Sequence, residues 1–300
     1  MATLMFVLMM QFVVSTRAGL VNYVQGDVSV KAMQSVEAGQ PIKTGHDGLA
    51  EVLLNPGSFL RLDRDSEVIL DGIELTNIAV RVVSGDAVIE AIDFSKDSPL
   101  KVTTGNLAIE IIKDGIYKFS EGKVTIIEGK LQTADNKLAF TKGWELSRDQ
   151  TYRAVKVAKG IATPLENWSR SRSQLIAQAN VNVANTLRRS PPLVSSLGWS
   201  GYGWNNAWMF IPGFGAYIFM PGYHFRSPYG YQYRTFVPEN NGGYGGSSSE
   251  SAGGGGGGSV GNSGGGGGSS AAPSVPIQSR PIGGQIGVDR PSPARGKPGL

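Results

Sequence analysis

From Leu20 to Ser147 the apolar residues fall in short Val/Ile/Leu-rich runs, separated by Gly, Asp, Asn and Lys. Ala50–Leu54 and Phe59–Leu62 are representative: neither exceeds five residues, and apolar and polar positions partly alternate within them. Short runs punctuated by turn residues predict an all-β domain. The period changes at Thr163-Pro164-Leu165-Glu166. Thr163 suits a helix cap, Pro164 the first helical position, and Glu166 the far corner of a capping box. Trp168, Leu175, Ala179, Val183 and Leu187 then recur at helical spacing, and Ser190-Pro191-Pro192 ends the pattern. This predicts a helix over 163–189 whose apolar stripe docks on the β domain, with membrane-surface binding as the lesser alternative.

The β region carries an internal repeat. Val24-Gln25-Gly26-Asp27-Val28 returns as Val83-Ser84-Gly85-Asp86-Ala87, and Thr44-Gly45 returns as Thr104-Gly105. Gly57-Ser58-Phe59-Leu60 returns as Gly115-Ile116-Tyr117-Lys118, and Ile69-Leu70-Asp71-Gly72 as Ile126-Ile127-Glu128-Gly129. The four offsets are 59, 60, 58 and 57, in chain order along both copies. Landmarks in register with so little drift predict two related half-units whose inner faces bury each other, a two-layer β sandwich or roll. The shared glycines mark bends or close backbone approaches.

With these landmarks in view the stretch resembles the FecR domain, named for the extracytoplasmic regulator of iron-dicitrate transport. The resemblance rests on Gly26-Asp27-Val28, Gly39…Ile42-x-Thr44-Gly45, Gly48-x-Ala50-Glu51-Val52, Gly57-Ser58-x-Leu60-Arg61-Leu62 and Ser66-x-Val68-x-Leu70. It covers roughly residues 20–150. It implies a duplicated FecR-like β fold in an extracytoplasmic compartment, the periplasm or the exterior. Regulators of that family place a cytoplasmic anti-sigma segment and a transmembrane helix before the domain. Here the domain follows directly on the apolar N-terminus, so partner or polymer binding is expected in place of sigma-factor capture.

Residues 198–233 hold 13 of the chain's 26 aromatic residues, broken every few positions by Gly or Pro. Together with Leu165-x-x-Trp168-x-x-x-Arg172, the aromatic run Trp208–Gly222 and Ser227–Tyr231 resemble the C-terminal extension of exported FecR-domain proteins. Rings in a Gly/Pro frame offer rigid amphipathic surface at low entropic cost. Trp199, Trp204, Trp208, Tyr217, Tyr223 and Tyr229 are therefore the candidate ligand-binding residues. In the competing reading Phe210, Ile211, Phe214, Ile218 and Phe219 pack inward and the run caps the β domain.

Two segments flank this core. Leu4–Val14 is an apolar stretch of 11 residues, shorter than the roughly 20 helical residues a bilayer takes. Ser15-Thr16-Arg17-Ala18 follows with the small residues of a leader cleavage site, although no Lys or Arg precedes the apolar run. A signal peptide over 1–18 is expected, with a buried N-terminal strand or an uncleaved anchor as the alternative. Beyond Pro238 the Gly/Ser runs, followed by a Pro-rich basic tail, predict disorder over 239–300. The expected layout is 1–18 leader, 19–160 β domain, 163–189 helix, 190–238 aromatic segment and 239–300 tail.

Charge and chemistry narrow the function. Residues 1–160 carry 18 Lys and Arg against 20 Asp and Glu, while 161–300 carry 10 against 4. That diffuse basic excess suits weak contact with a membrane or other anionic surface and lacks the dense block of a nucleic-acid footprint. Without cysteine there are no disulfides and no thiolate chemistry. His46 and His224 stand apart in turn-like contexts, and Asp63-x-Asp65-x-Glu67 lacks the glycine a calcium loop needs. No cofactor or metal is expected. The sequence predicts a non-enzymatic exported protein that binds an envelope protein, wall polymer or polysaccharide. The alternative is a sensory or regulatory module acting through a separate membrane partner. A hydrolase would instead require carboxylates converging in a cleft, at least one with a raised pKa.

Overall fold

The computed structural model describes residues 12–13, 17–157, 160–189 and 206–235. After β1 (Phe12–Val13) come β2 (Leu20–Gln25), β3 (Pro41–Lys43), β4 (Leu49–Leu53), β5 (Phe59–Leu62), β6 (Glu67–Glu74) and β7 (Asn77–Ser84). Then follow β8 (Ala87–Ala91), β9 (Leu100–Thr104), β10 (Leu107–Ser120), β11 (Lys123–Thr133), β12 (Ala139–Thr141), β13 (Trp144–Arg148) and β14 (Tyr152–Lys156). The C-terminal elements are α1 (Pro164–Arg189), β15 (Ala207–Ile211), β16 (Ala216–Met220), β17 (Phe225–Arg226) and β18 (Gln232–Tyr233).

Strands β2 to β14 form one 13-stranded sheet, with the order β2-β4-β5-β8-β10-β9-β7-β6-β3 and β11 to β14 branching from β10. The sheet curls until its ends approach. The Ala18 amide donates to the Ile73 carbonyl at 2.7 Å, and Arg17 bridges to Glu74, so the chain entering β2 lies beside β6. The result is an all-β roll around a core that includes Val52, Leu60, Leu62, Ile89, Ile109, Phe119 and Ile126. Each such side chain contributes about 1.5–3 kcal/mol by leaving water.

The two repeat copies use the same landmarks differently. Gly57 lies in the turn of the β4–β5 hairpin at φ 96°. Its counterpart Gly115 lies within the single long strand β10, where the register against β11 shifts. A Cβ at Gly115 would collide with the Glu128 carbonyl oxygen, so here glycine permits close backbone approach where in the first copy it permits a turn.

The helix begins as its sequence predicts. The Thr163 amide donates to Glu166 Oε2 at 2.9 Å, and the Glu166 amide donates to Thr163 Oγ1 at 3.3 Å, closing the capping box. The docked face keeps most of the predicted stripe, with Val183 and Leu187 buried and Trp168 and Ala179 packed against the apolar clusters, but departs from it at Leu175. Leu175 is 46% exposed, while Leu165, Ser169, Arg172, Ser173, Ile176, Asn180, Val183 and Leu187 are buried. Polar residues at the centre of the contact hid this departure from a reading based on apolar spacing.

The helix lies on the outer face of β4, β5 and β8, together with the antiparallel hairpin β15–β16. Leu53, Phe59 and Ile92 from the roll share a second apolar cluster with Ile176, Leu187, Trp208, Met209 and Phe219. Strands β4, β5 and β8 are consequently buried on both faces. No helix among the described residues is long and apolar enough to cross a membrane.

Candidate functional site

Between the roll and its C-terminal cover lies an ionic seam. Alternation along each strand sends one set of side chains inward and the other outward. On the outward set Glu51 of β4 sits directly opposite Arg61 of β5, and Glu90 of β8 opposite Phe59. Pairing thus brings two carboxylates to one guanidinium. All three are fully buried.

Arg61 is the hub. Its Nε donates to Glu51 Oε2 at 2.8 Å, and its Nη1 donates to Glu90 Oε2 at 2.9 Å and to Ser169 Oγ of α1 at 2.8 Å. Its Nη2 has no hydrogen-bond partner, and its guanidinium stacks over the Phe59 ring at 4.7 Å. From the helix Arg172 Nη2 donates to Glu51 Oε1 at 2.8 Å, and Ser173 Oγ donates to Glu90 Oε1 at 2.9 Å. Arg172 is itself sandwiched, 4.3 Å from the Tyr23 ring centre and 5.7 Å from that of Phe214.

Asparagines extend the seam to the hairpin. Asn22 Nδ2 donates to Glu51 Oε1 at 2.9 Å and to the Tyr217 carbonyl at 3.1 Å, while its Oδ1 accepts from the Tyr217 amide at 2.7 Å. Asn180 Nδ2 donates to the Phe219 carbonyl at 3.1 Å, and its Oδ1 accepts from the Arg234 amide at 2.7 Å.

The two carboxylates differ in electrostatics. Burial pushes Glu51 up, but Arg61 and Arg172 together more than offset it and hold the carboxyl at about 2. At Glu90 burial prevails over the Arg61 and Ser173 contacts, so its pKa is raised. Arg61 is held cationic: burial opposes its charge, and Glu51 and Glu90 more than restore it. A raised carboxyl beside a second carboxylate is the sign a hydrolase would show. Here both oxygen pairs are consumed by Arg61, Arg172, Asn22 and Ser173, and neither residue is open to solvent. The arrangement can clamp two parts of the chain together; it offers no proton to a substrate.

A groove of about 610 Å³ opens nearby, lined by Ile127, Glu128, Lys142, Ile161, Glu166 and Tyr229 among others. Lys142 pairs with Glu128 at 2.6 Å, and Lys118 lies 4.0 Å from Glu166. No group of three or more potential metal ligands occurs among the described residues.

The sequence-predicted site residues scatter. Trp199 and Trp204 lie outside the described residues. Trp208 is 1% exposed, edge-on to Phe59 at 5.2 Å and to Phe219 at 5.8 Å. Tyr217 is buried against Phe210. Tyr229 donates its hydroxyl to Ser169 Oγ at 2.8 Å beneath the guanidinium of Arg170, and burial pushes its phenol up to about 12. Tyr223 is 46% exposed and so presents its ring to solvent. Trp208 and Tyr217 face inward because the hairpin that carries them is the lid of the second apolar cluster.

Glu51, Arg61, Glu90 and Arg172 were not legible as a site, because charged residues at alternating strand positions read as a solvated face. A signal was present: Leu53, Phe59, Val88 and Ile92 share that outward face, and apolar residues there call for a cover.

Residues 40–132 match the family described as FecR protein. No curated protein matches the chain. Two crystal structures, each described as that of a proposed anti-sigma factor from Parabacteroides distasonis, are similar to it. One is 12% identical with a TM-score of 0.33, over 39% of this chain and 60% of that one. The other is 10% identical with a TM-score of 0.34, over 44% and 64%. The chain thus covers less than two thirds of either structure.

Proposed function

From the match of residues 40–132 to the family described as FecR protein, we propose that the protein is a non-enzymatic sensory or regulatory module, working outside the cytoplasm through contact with a membrane protein partner. The observation that carries this reading is the seam. It commits the buried charges of Glu51, Arg61, Glu90 and Arg172 to fastening helix and hairpin to the β roll, making one body suited to presenting a surface. The same sealing of Glu51 and Glu90 argues against hydrolysis. The family resemblance supports the extracytoplasmic location and the regulatory role. Polymer binding by stacked rings has less support, because Trp208 and Tyr217 lie in the interior. Such a role would fall to Tyr223 and to Trp199 and Trp204.

The test is photo-crosslinking of the full chain in envelope fractions of its host, with the reactive group placed at Val155 or Tyr223, both well exposed. The regulatory reading expects one integral membrane protein to be captured repeatedly, and no pelleting with insoluble wall or polysaccharide. Pelleting that disappears in Tyr223→Ala, with no protein captured, would replace it with the polymer-binding reading.

A further inference from the structure

The hairpin β15–β16 has two outer edges, and the chain treats them differently. The edge of β16 is shut by side chains. Asn22 satisfies both the amide and the carbonyl of Tyr217, and Asn180 satisfies the carbonyl of Phe219. Both asparagines are fully buried, so no further strand can approach there. Blocking groups of this kind are how proteins keep an edge from pairing with another chain.

Among the described residues no side chain blocks the edge of β15; it is met by a strand. Phe12 pairs with Met209 and Val13 with Trp208, antiparallel. Among the described residues, Ala207, Phe210 and Ile211 of β15 have no strand partner on that side. The pairing segment belongs to Leu4–Val14, the apolar stretch that the sequence reads as a leader ending at Ala18. The roll is fastened from Arg17 onward, where Arg17 bridges to Glu74, the Ala18 amide donates to the Ile73 carbonyl at 2.7 Å and the Gly19 amide donates to the Leu53 carbonyl at 2.9 Å. Removal of residues 1–14 would therefore uncover the β15 edge and leave the closure of the roll in place.

We infer that the edge of β15 is an acceptor site for an extended, uncharged, apolar strand of a partner protein, and that residues 12–13 hold that site until the N-terminal segment leaves. Main-chain pairing would supply affinity, and alternate apolar side chains would supply specificity. The paired residues define the chemistry of the replacement: Phe12 and Val13 are apolar, and the sequence around them, Leu4–Val14, contains no charged residue. The inference deepens the partner-binding reading and draws its biological sense from it.

The test uses the full chain with a specific protease site inserted between Val14 and Ser15, cut after folding. The probe is a fluorescent peptide of residues 4–14 with added terminal lysines, followed by anisotropy. The cut chain should bind at least about tenfold more tightly than the uncut chain, in which the tethered strand competes at high effective concentration. A peptide with proline in place of Phe12 and Val13 should not bind, and deuterium exchange of β15 amides should slow when the intact peptide is added. Should cleavage cause aggregation, the uncut variant Phe12→Pro/Val13→Pro opens the same edge and should show the same gain. Equal binding by cut and uncut chains, binding of the proline peptide, or no binding to either opened form would overturn the inference. Peptide exchange without capture of a membrane partner would sink the regulatory reading alone; capture without exchange would sink the acceptor edge alone.

Discussion

Replacing Glu51 with glutamine keeps the shape of the side chain and removes the negative charge between Arg61 and Arg172. The fall of the Glu51 pKa from 4.5 to about 2 converts, at about 1.4 kcal/mol per pH unit, to about 3 kcal/mol of stability at neutral pH. Loss of one partner from a buried ion pair typically costs about 3–5 kcal/mol, which agrees. A carboxylate whose pKa is depressed on folding contributes fully above its unfolded value, and the contribution is lost as pH falls through the folded one. Glu51→Gln should thus be about 3 kcal/mol less stable than the parent near pH 7, and the gap should shrink to about half near pH 3. Glu90 has the opposite sign. Its pKa is raised, so its contribution is full below 4.5 and is lost as pH rises through the folded value. Glu90→Gln should therefore cost clearly less than Glu51→Gln at neutral pH. Urea unfolding followed by tryptophan emission reads all three proteins. Equal losses in the two variants, or a Glu51→Gln loss below about 1 kcal/mol, would refute the assignment of Arg61 and Arg172 chiefly to Glu51.

Other perturbations separate packing from surface. Trp208→Ala should cost about 3–5 kcal/mol in the same unfolding assay, whereas Tyr223→Ala should stay within about 0.5 kcal/mol. Asn180→Ala strips partners from the Phe219 carbonyl and the Arg234 amide; it should cost about 1–3 kcal/mol and speed deuterium exchange at Arg234. Thr163→Ala should cost about 1 kcal/mol through loss of the cap, read as fraying of the first turn of α1 by amide exchange.

The roll and the helix were legible in the sequence because local physics writes them: turn residues between short apolar runs, and a cap, a proline and a stop around residues 163–192. The seam was not, because it is made by residues 22, 51, 61 and 90 meeting residues 169, 172, 173 and 217, and no local pattern reports a contact that distant. Alternation even pointed the wrong way, since Glu51 and Arg61 stand at polar-looking positions of their strands. Leu175 of α1 was misplaced for the same reason, with Ser169, Arg172 and Ser173 standing where a docked face normally shows apolar residues. The aromatic run announced both packing and binding, and only tertiary placement separated Trp208 from Tyr223.

Helix, hairpin and β roll form one cooperative body fastened at Glu51 and Arg61. Amide hydrogen exchange on the full chain tests that cooperativity most directly. The account predicts that amides of α1 around Ser169–Asn180 and of β4, β5 and β8 exchange together in the slowest class, and that Glu51→Gln accelerates both sets alike. Fast exchange of α1 while β4, β5 and β8 stay protected, unchanged by Glu51→Gln, would contradict it and make the helix a loosely attached appendage.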